Sequence, residues 1–183
     1  MVLAYIVLKI AKGEDIMTKV TLQGAPFELE GTFPSVGTKV SSFVVVDNDL
    51  KEVKLEDFGS EILVLVSVPS LDTPVCDLEA RRFNAEASKL SSKVEIAIVS
   101  MDLPFAQKRW CGQLEGQKVH TYSDYRYASF GKALGVLIAD LRLLARAIFV
   151  LDGQRNLVYS QLVPEVAQEP DYEEVLEVIS KLT

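Results

Sequence analysis

The sequence predicts an α/β domain built on a mixed β-sheet, and three observations predict it. First, Ile62 to Val68 and Ile96 to Val99 are unbroken apolar runs rich in branched side chains, the pattern of strands buried on both faces. Second, Ala80, Phe83, Ala87 and Leu90 recur between those runs at helical spacing, giving strand, helix, strand. Third, Ala147 to Leu151 and Leu157 to Leu162 flank a tight turn at Asp152-Gly153-Gln154. Two strands joined that closely are antiparallel, so the sheet is not purely parallel.

The remaining elements follow in chain order. Thr18 to Leu22 and Phe27 to Leu29 read as a hairpin around Gly24 to Pro26. Phe43 to Val46 is a strand turned by Asp47-Asn48-Asp49. Pro69 ends the first buried strand, and a helix runs on from Cys76. Pro104 to Leu114 reads as a second helix, with proline at its tolerated first position. Val119 to Tyr122 is strand-like. Tyr172, Val175, Leu176, Ile179 and Leu182 form one face of a closing helix, started by Pro170-Asp171.

Composition narrows the function. With 183 residues, 49% hydrophobic and 25% charged, the chain has room for one domain with an ample core. A net charge of −7 without a basic stripe argues against nucleic-acid binding. No apolar run approaches the roughly 20 residues of a membrane span. Two cysteines are too few for a disulfide-dense secreted scaffold, and with the single His120 they cannot supply a Cys/His zinc site, so no metal or cofactor is expected. We read the protein as cytoplasmic, with its cysteines reduced by default. His120 is given no catalytic role, and Glu173-Glu174 reads as a solvated helix face.

The chemistry concentrates in Val68-Pro69-Ser70-Leu71-Asp72-Thr73-Pro74-Val75-Cys76. A loop leaving a buried strand enters a helix at this cysteine. Unpaired N–H groups and the positive end of the helix dipole favour a thiolate there. Thr73, three residues earlier, is placed to point into the same pocket. Pro74 lacks an N–H and can shield the sulfur. The blander readings are a small buried hydrophobe for Cys76, a capping hydroxyl for Thr73, and a salt-bridge partner for Arg146.

Pro69-x-x-x-Thr73-x-x-Cys76 matches the P-x-x-x-T-x-x-C signature of peroxiredoxins. The strings from Ser70 to Cys76, Ser100 to Cys111, Ser123 to Arg126, Leu144 to Ala147 and Val163 to Val166 resemble the thiol peroxidases, the atypical two-cysteine peroxiredoxins of bacteria. The resemblance runs from about Met17 to the C-terminus. It implies a thioredoxin-like three-layer fold, a central mixed sheet flanked by helices, with an N-terminal β-hairpin. It also implies reduction of hydrogen peroxide and organic hydroperoxides. By the same resemblance Cys76 is the peroxidatic cysteine, Thr73 hydrogen-bonds the peroxide, Arg146 stabilises the thiolate and the developing charge, and Pro74 shields the sulfenic acid. Cys111 is the resolving cysteine of an intramolecular Cys76–Cys111 disulfide recycled by thioredoxin. The protein is expected to be a homodimer.

One departure is Val40-Ser41-Ser42-Phe43, where the family often carries Ala-Pro-Asp-Phe; it touches only the local chain path. The competing function is a stoichiometric redox switch using the same cysteines. A general dithiol oxidoreductase would need a C-x-x-C motif that is absent. Three further expectations concern this chain alone. Trp110, the only tryptophan, should report the redox state of its neighbour Cys111. If the two cysteines sit on helices over different parts of the sheet, their Cα atoms lie beyond about 7 Å. Disulfide closure then needs local unfolding over 104–114. Finally, residues 1–16 are expected to be an extension outside the native start at Met17, the alternative being a genuine extension packed as an extra strand over the apolar Val2 to Ile10, with the domain spanning 17–183.

Overall fold

The computed structural model describes residues 18–183, so the extension expected over 1–16 lies outside the described residues. In chain order the elements are β1 (Lys19–Leu22), β2 (Ala25–Glu30), β3 (Val44–Val46), β4 (Glu52–Lys54), β5 (Ile62–Ser67), α1 (Pro74–Ala87), β6 (Val94–Ser100) and α2 (Pro104–Cys111). They continue as β7 (His120–Ser123), α3 (Ser129–Ala133), β8 (Leu137–Ile138), β9 (Leu143–Leu144), β10 (Ala147–Leu151), β11 (Leu157–Leu162) and α4 (Tyr172–Leu182).

Seven strands form the central sheet in the order β11-β10-β5-β6-β7-β3-β4. β5, β6 and β7 are parallel, with α1 and α2 as their crossovers, while β10 runs antiparallel to β5 and to β11. Alternation along β5 divides the core in two. Ile62, Val64 and Val66 face Phe83 of α1, Trp110 of α2, and Val175 and Ile179 of α4. Leu63 and Leu65 face the opposite layer, with Phe130 of α3 and the short strands β8 and β9. These are the three layers of a thioredoxin-like fold, and Cys76 and Cys111 belong to the same face.

The N-terminal hairpin forms as expected, with Lys19 opposite Glu28, and joins β8 and β9 in a separate four-stranded sheet. It is tied to the segment after β11. Thr21 N–H donates to the Pro164 carbonyl, and the Glu165 carboxylate accepts from the Thr21 hydroxyl and the Gln23 and Gly24 N–H groups. The chain passes tightly between α3 and β8. Gly135 has φ of +64°, and a Cβ there would meet the Phe33 nitrogen at 2.4 Å.

Two helix boundaries differ from expectation. α1 begins at Pro74 rather than Cys76, because proline fits the first helical position and Thr73 already accepts the first helical bond, from Asp77 N–H. α2 ends at Cys111 rather than Leu114. The N–H groups of Gln113 and Leu114 bond back three residues, to Trp110 and Cys111, so the chain tightens into a turn at Gly112. Cys111 therefore closes its helix. α3, β8 and β9 carry no periodic signal at their length and are held by tertiary pairing.

Candidate active site

The loop leaving β5 is held by the next crossover. Asp102, just beyond β6, accepts from the Ser70 hydroxyl at 2.7 Å and the Leu71 N–H at 2.8 Å, and its carboxylate also takes the Ser100 hydroxyl at 2.8 Å. This clamp delivers Thr73 to the position that caps α1 and Cys76 to the helix's third residue. Thr73 does not cap the helix with its side chain. Its hydroxyl lies 2.8 Å from Cys76 Sγ and 2.9 Å from the Ser70 carbonyl. One hydroxyl proton serves one acceptor at a time, so a charged sulfur competes for it with a neutral carbonyl. Cys76 itself is 0% exposed, while Thr73 and Pro74 lie at the surface beside it.

Arg146 comes from the far side of the sequence. It immediately precedes β10, whose Ala147 pairs with Ser67 at the end of β5, so the sheet register brings it to the mouth of the Cys76 loop. At 1% exposure its guanidinium is fully used. Nε donates to the Val166 carbonyl at 3.0 Å, Nη2 reaches Cys76 Sγ at 3.2 Å, and Nη1 donates to Glu79. Glu79 lies one turn past Cys76 on the same helix face and is 0% exposed. Burial pushes its carboxyl up to about 7, against the pull of Arg146. Arg146 is held above its usual range: burial opposes this, and the charges of Glu79 and Cys76 outweigh it. The arrangement is a buried cation between a carboxyl and a sulfur.

Cys111 sits in a second polar pocket. Its Sγ is 3.1 Å from the Thr121 hydroxyl on β7, which accepts from Asn48 Nδ2 at 2.9 Å. Arg146 and Thr121 flank strands three places apart, roughly 14 Å at the usual strand spacing. Both thiols are free and buried. The start of α2 is anchored by Gln107, fully buried, whose Nε2 donates to the Ser100 hydroxyl at 2.9 Å and the Tyr122 carbonyl at 2.8 Å. Its end is joined to α1, where the Trp110 indole N–H donates to Asp77 Oδ1 at 2.7 Å. Asp77 is also gripped by Arg81 Nε at 2.9 Å. Its carboxyl is held below the usual range: burial acts upward, and the bonds from Arg81 and Trp110 outweigh it.

Of the residues singled out in the sequence, Thr73, Cys76 and Arg146 converge on one sulfur. Pro74 stands at the first position of α1 between Thr73 and Cys76. Cys111 lies apart, on the neighbouring helix. His120 is exposed on β7. Glu79 was missed, although an acid one helical turn after Cys76, inside the stripe Cys76-Ala80-Phe83, was the available signal. Asp102 lies inside the Ser100 to Cys111 string, where nothing in the sequence marks it as the clamp on the Cys76 loop. Among the described residues no group of three or more His, Cys, Asp or Glu is placed to hold a metal ion, and no helix is long and apolar enough to cross a membrane.

A thioredoxin-like sheet presenting a buried thiol to a hydroxyl and a guanidinium defines a redox protein that works through cysteine sulfur. The comparisons with known proteins agree. A model described as Redoxin matches residues 35–176. Thiol peroxidases of Listeria innocua and Bacillus subtilis are each 45% identical, covering 90% and 91% of this chain and 99% of theirs. A peroxiredoxin-like protein from Aquifex aeolicus superimposes with a TM-score of 0.84 at 42% identity, covering 91% of this chain and 99% of that one. A thiol peroxidase from Chromobacterium violaceum shares the fold, with a TM-score of 0.78 at 21% identity. The chain belongs to the Redoxin family and, within it, to the peroxiredoxin-type thiol peroxidases.

Proposed function

We propose that the chain reduces hydrogen peroxide and organic hydroperoxides with Cys76 as the attacking thiol, Cys111 as the resolving thiol and thioredoxin as the reductant. The observation that carries this reading is the Cys76 sulfur, within 2.8 Å of the Thr73 hydroxyl and 3.2 Å of Arg146 Nη2.

The Cys76 thiolate attacks the terminal oxygen of the peroxide. An S–O bond forms as the O–O bond breaks, and the alkoxide or hydroxide takes a proton and leaves as alcohol or water. Sulfur is oxidised by two electrons to a sulfenic acid and the peroxide is reduced. Negative charge moves from sulfur to oxygen during this step. Fixed donors on Thr73 and Arg146 follow that charge without reorganising, the general source of such acceleration. Glu79 orients the guanidinium. Pro74, at the exposed side, limits access by further oxidant.

Cys111 then attacks the sulfenic sulfur, an S–S bond forms and water departs. With polar partners on strands three places apart, the pair closes only after the cysteine segments leave their pockets, by local opening over 104–114. Exchange with the dithiol of thioredoxin restores both thiols. The working form is a cytoplasmic homodimer.

The test is peroxide consumption coupled to thioredoxin, thioredoxin reductase and NADPH. Many turnovers per chain support the enzyme. One turnover only would make it a stoichiometric redox switch. Cys76→Ser should abolish consumption, whereas Cys111→Ser should retain the first oxidation and lose thioredoxin recycling. Full activity in Cys76→Ser overturns the reading.

A further inference from the structure

The residues after the two cysteines' own pockets suggest a control on the step between them. Asp77 directly follows Cys76 on α1, and Trp110 directly precedes Cys111 on α2. Their side chains meet in a hydrogen bond of 2.7 Å between an indole N–H and a carboxylate. Trp110 is 4% exposed, so its N–H has left water and depends on that carboxylate. Arg81 fixes the acceptor from below, with Nε 2.9 Å from both Asp77 oxygens and its guanidinium carbon 5.7 Å from the Trp110 ring centroid.

We infer that the Asp77–Trp110 bond is a latch that holds the two cysteine-bearing helices in their separate pockets and sets the rate at which Cys111 is released to resolve the Cys76 sulfenic acid. The inference rests on the proposed roles of Cys76 and Cys111. Its logic is geometric. The bond joins the residue after one cysteine to the residue before the other, so neither Cys111 nor the first turn of α1 can move toward its partner while it is made. Besides the Cys111 Sγ contact with the Thr121 hydroxyl at 3.1 Å, which release itself must break, the other ties near the end of α2 are weaker. Arg109 to Asp72 spans 3.5 Å and Lys108 to Asp49 lies among exposed side chains, where water competes. Beyond Cys111 the chain turns at Gly112 with short-range bonds only, so nothing regular resists release from that side.

In the step affected, Cys111 sulfur and Cys76 sulfur form the S–S bond while the S–O bond breaks and the oxygen leaves as water. It competes with attack of the sulfenate on a second peroxide, which yields sulfinate and alcohol. A latch that delays the first reaction widens the window for the second. Trp110 and Asp77 act as positioning residues; neither touches the reacting atoms.

The test uses the full-length reduced protein, wild type, Trp110→Phe, Asp77→Ala and the double variant. Each is mixed with one equivalent of hydrogen peroxide and quenched over time. Mass spectrometry separates sulfenic acid, Cys76–Cys111 disulfide and sulfinic acid. Wild type must first show the sulfenic acid followed by that disulfide; failure here overturns the cysteine assignments rather than the latch alone. Both single variants should close the disulfide about tenfold to a hundredfold faster, the ratio that loss of one hydrogen bond to a charged group sets for an opening step. The double variant should be no faster than the quicker single one, because both changes remove ends of the same bond. The excess peroxide needed to convert half the protein to sulfinate should rise by the same factor. Closure within twofold of wild type, slower closure, or acceleration in one single variant alone overturns the latch. Sulfenic acid formation in Trp110→Phe, measured in the same samples, shows that a variant is folded and separates a latch from general damage.

Discussion

Replacing Arg146 with methionine should separate the catalytic use of the guanidinium from its structural cost. The substitution roughly keeps the aliphatic volume and takes a donor from three buried acceptors at once: the Glu79 carboxylate, the Val166 carbonyl and the Cys76 sulfur, of which only the sulfur keeps another, the Thr73 hydroxyl. Breaking a buried ion pair from one side costs about 3–5 kcal/mol, because the remaining charge has no partner. That cost depends on pH, and its sign is fixed by Glu79. The carboxyl is raised by burial to about 7 in the folded chain, above its ordinary value of 4.5. The stability tied to this group in wild type is therefore greatest below the lower value and falls as pH rises between the two. In Arg146→Met the cation that pulls the carboxyl down is gone, so the decline extends to higher pH. At pH 8 the variant should lose the full 3–5 kcal/mol or so. At pH 5.5, with Glu79 protonated in both proteins, the loss should shrink to about 1–3 kcal/mol for the unmade hydrogen bonds. Urea unfolding of the reduced proteins at the two pH values reads this directly. Adding Glu79→Leu should restore most of the stability at pH 8, since replacing both members of a buried pair by apolar groups is often neutral. It should not restore peroxide consumption, which falls by about 10²–10³-fold in either variant for want of a donor at the sulfur. A loss equal at both pH values and unrelieved by Glu79→Leu would refute the buried-pair reasoning. Undiminished peroxide consumption would refute the role of Arg146.

Other outcomes follow from the same geometry. Thr73→Val removes the hydroxyl 2.8 Å from Cys76 Sγ and should slow sulfenic acid formation by about 10²-fold in stopped-flow mixing, with unfolding free energy changed by under about 1 kcal/mol; Thr73→Ser should keep the rate. Asp124 is buried where it accepts the Phe130 and Gly131 N–H groups at the start of α3, and Asp124→Ala should cost about 2 kcal/mol in urea unfolding. Burial raises the Asp124 carboxyl to about 6 against those backbone bonds, so its contribution to stability falls as pH rises from its ordinary 3.8 to about 6, a slope that Asp124→Asn should remove. Trp110 emission should change when one equivalent of peroxide is added to reduced wild type, and should change differently in Cys111→Ser, where no disulfide forms; an identical response would exclude a disulfide origin.

The sequence made the sheet's centre and the reactive loop legible because burial on two faces writes itself into Ile62 to Ser67, and because proline and threonine before Cys76 mark a strand-to-helix junction. Arg146 was named only through resemblance. Nothing near it in sequence points to Cys76; the register of Ala147 opposite Ser67 brings it there. Glu79 shows the opposite case, a charged residue within an apolar helical stripe that looks like a solvated position until its partner from another strand is known. β8 and β9 have two residues each, too few to carry a period, and exist because they pair with each other and β8 with β2, a ladder extended by the bond from Ala145 N–H to the Val136 carbonyl. The Asp77–Trp110 bond links residues 33 apart, and no local rule pairs them.

The Gln107 anchor has a consequence for how the second thiol meets the first. Gln107, buried and bonded on two sides, tethers the middle of the 104–114 segment whose opening is proposed above. Cys111 lies four residues beyond Gln107, and that stretch drawn out at about 3.5 Å per residue reaches roughly 14 Å from the anchor. In the proposed cycle Cys111 is a thiol on a short tether, for which effective concentrations lie in the millimolar range. A tether of that length makes resolution an intramolecular event, and its rate set against attack by a second peroxide decides how much oxidant the proposed cycle tolerates.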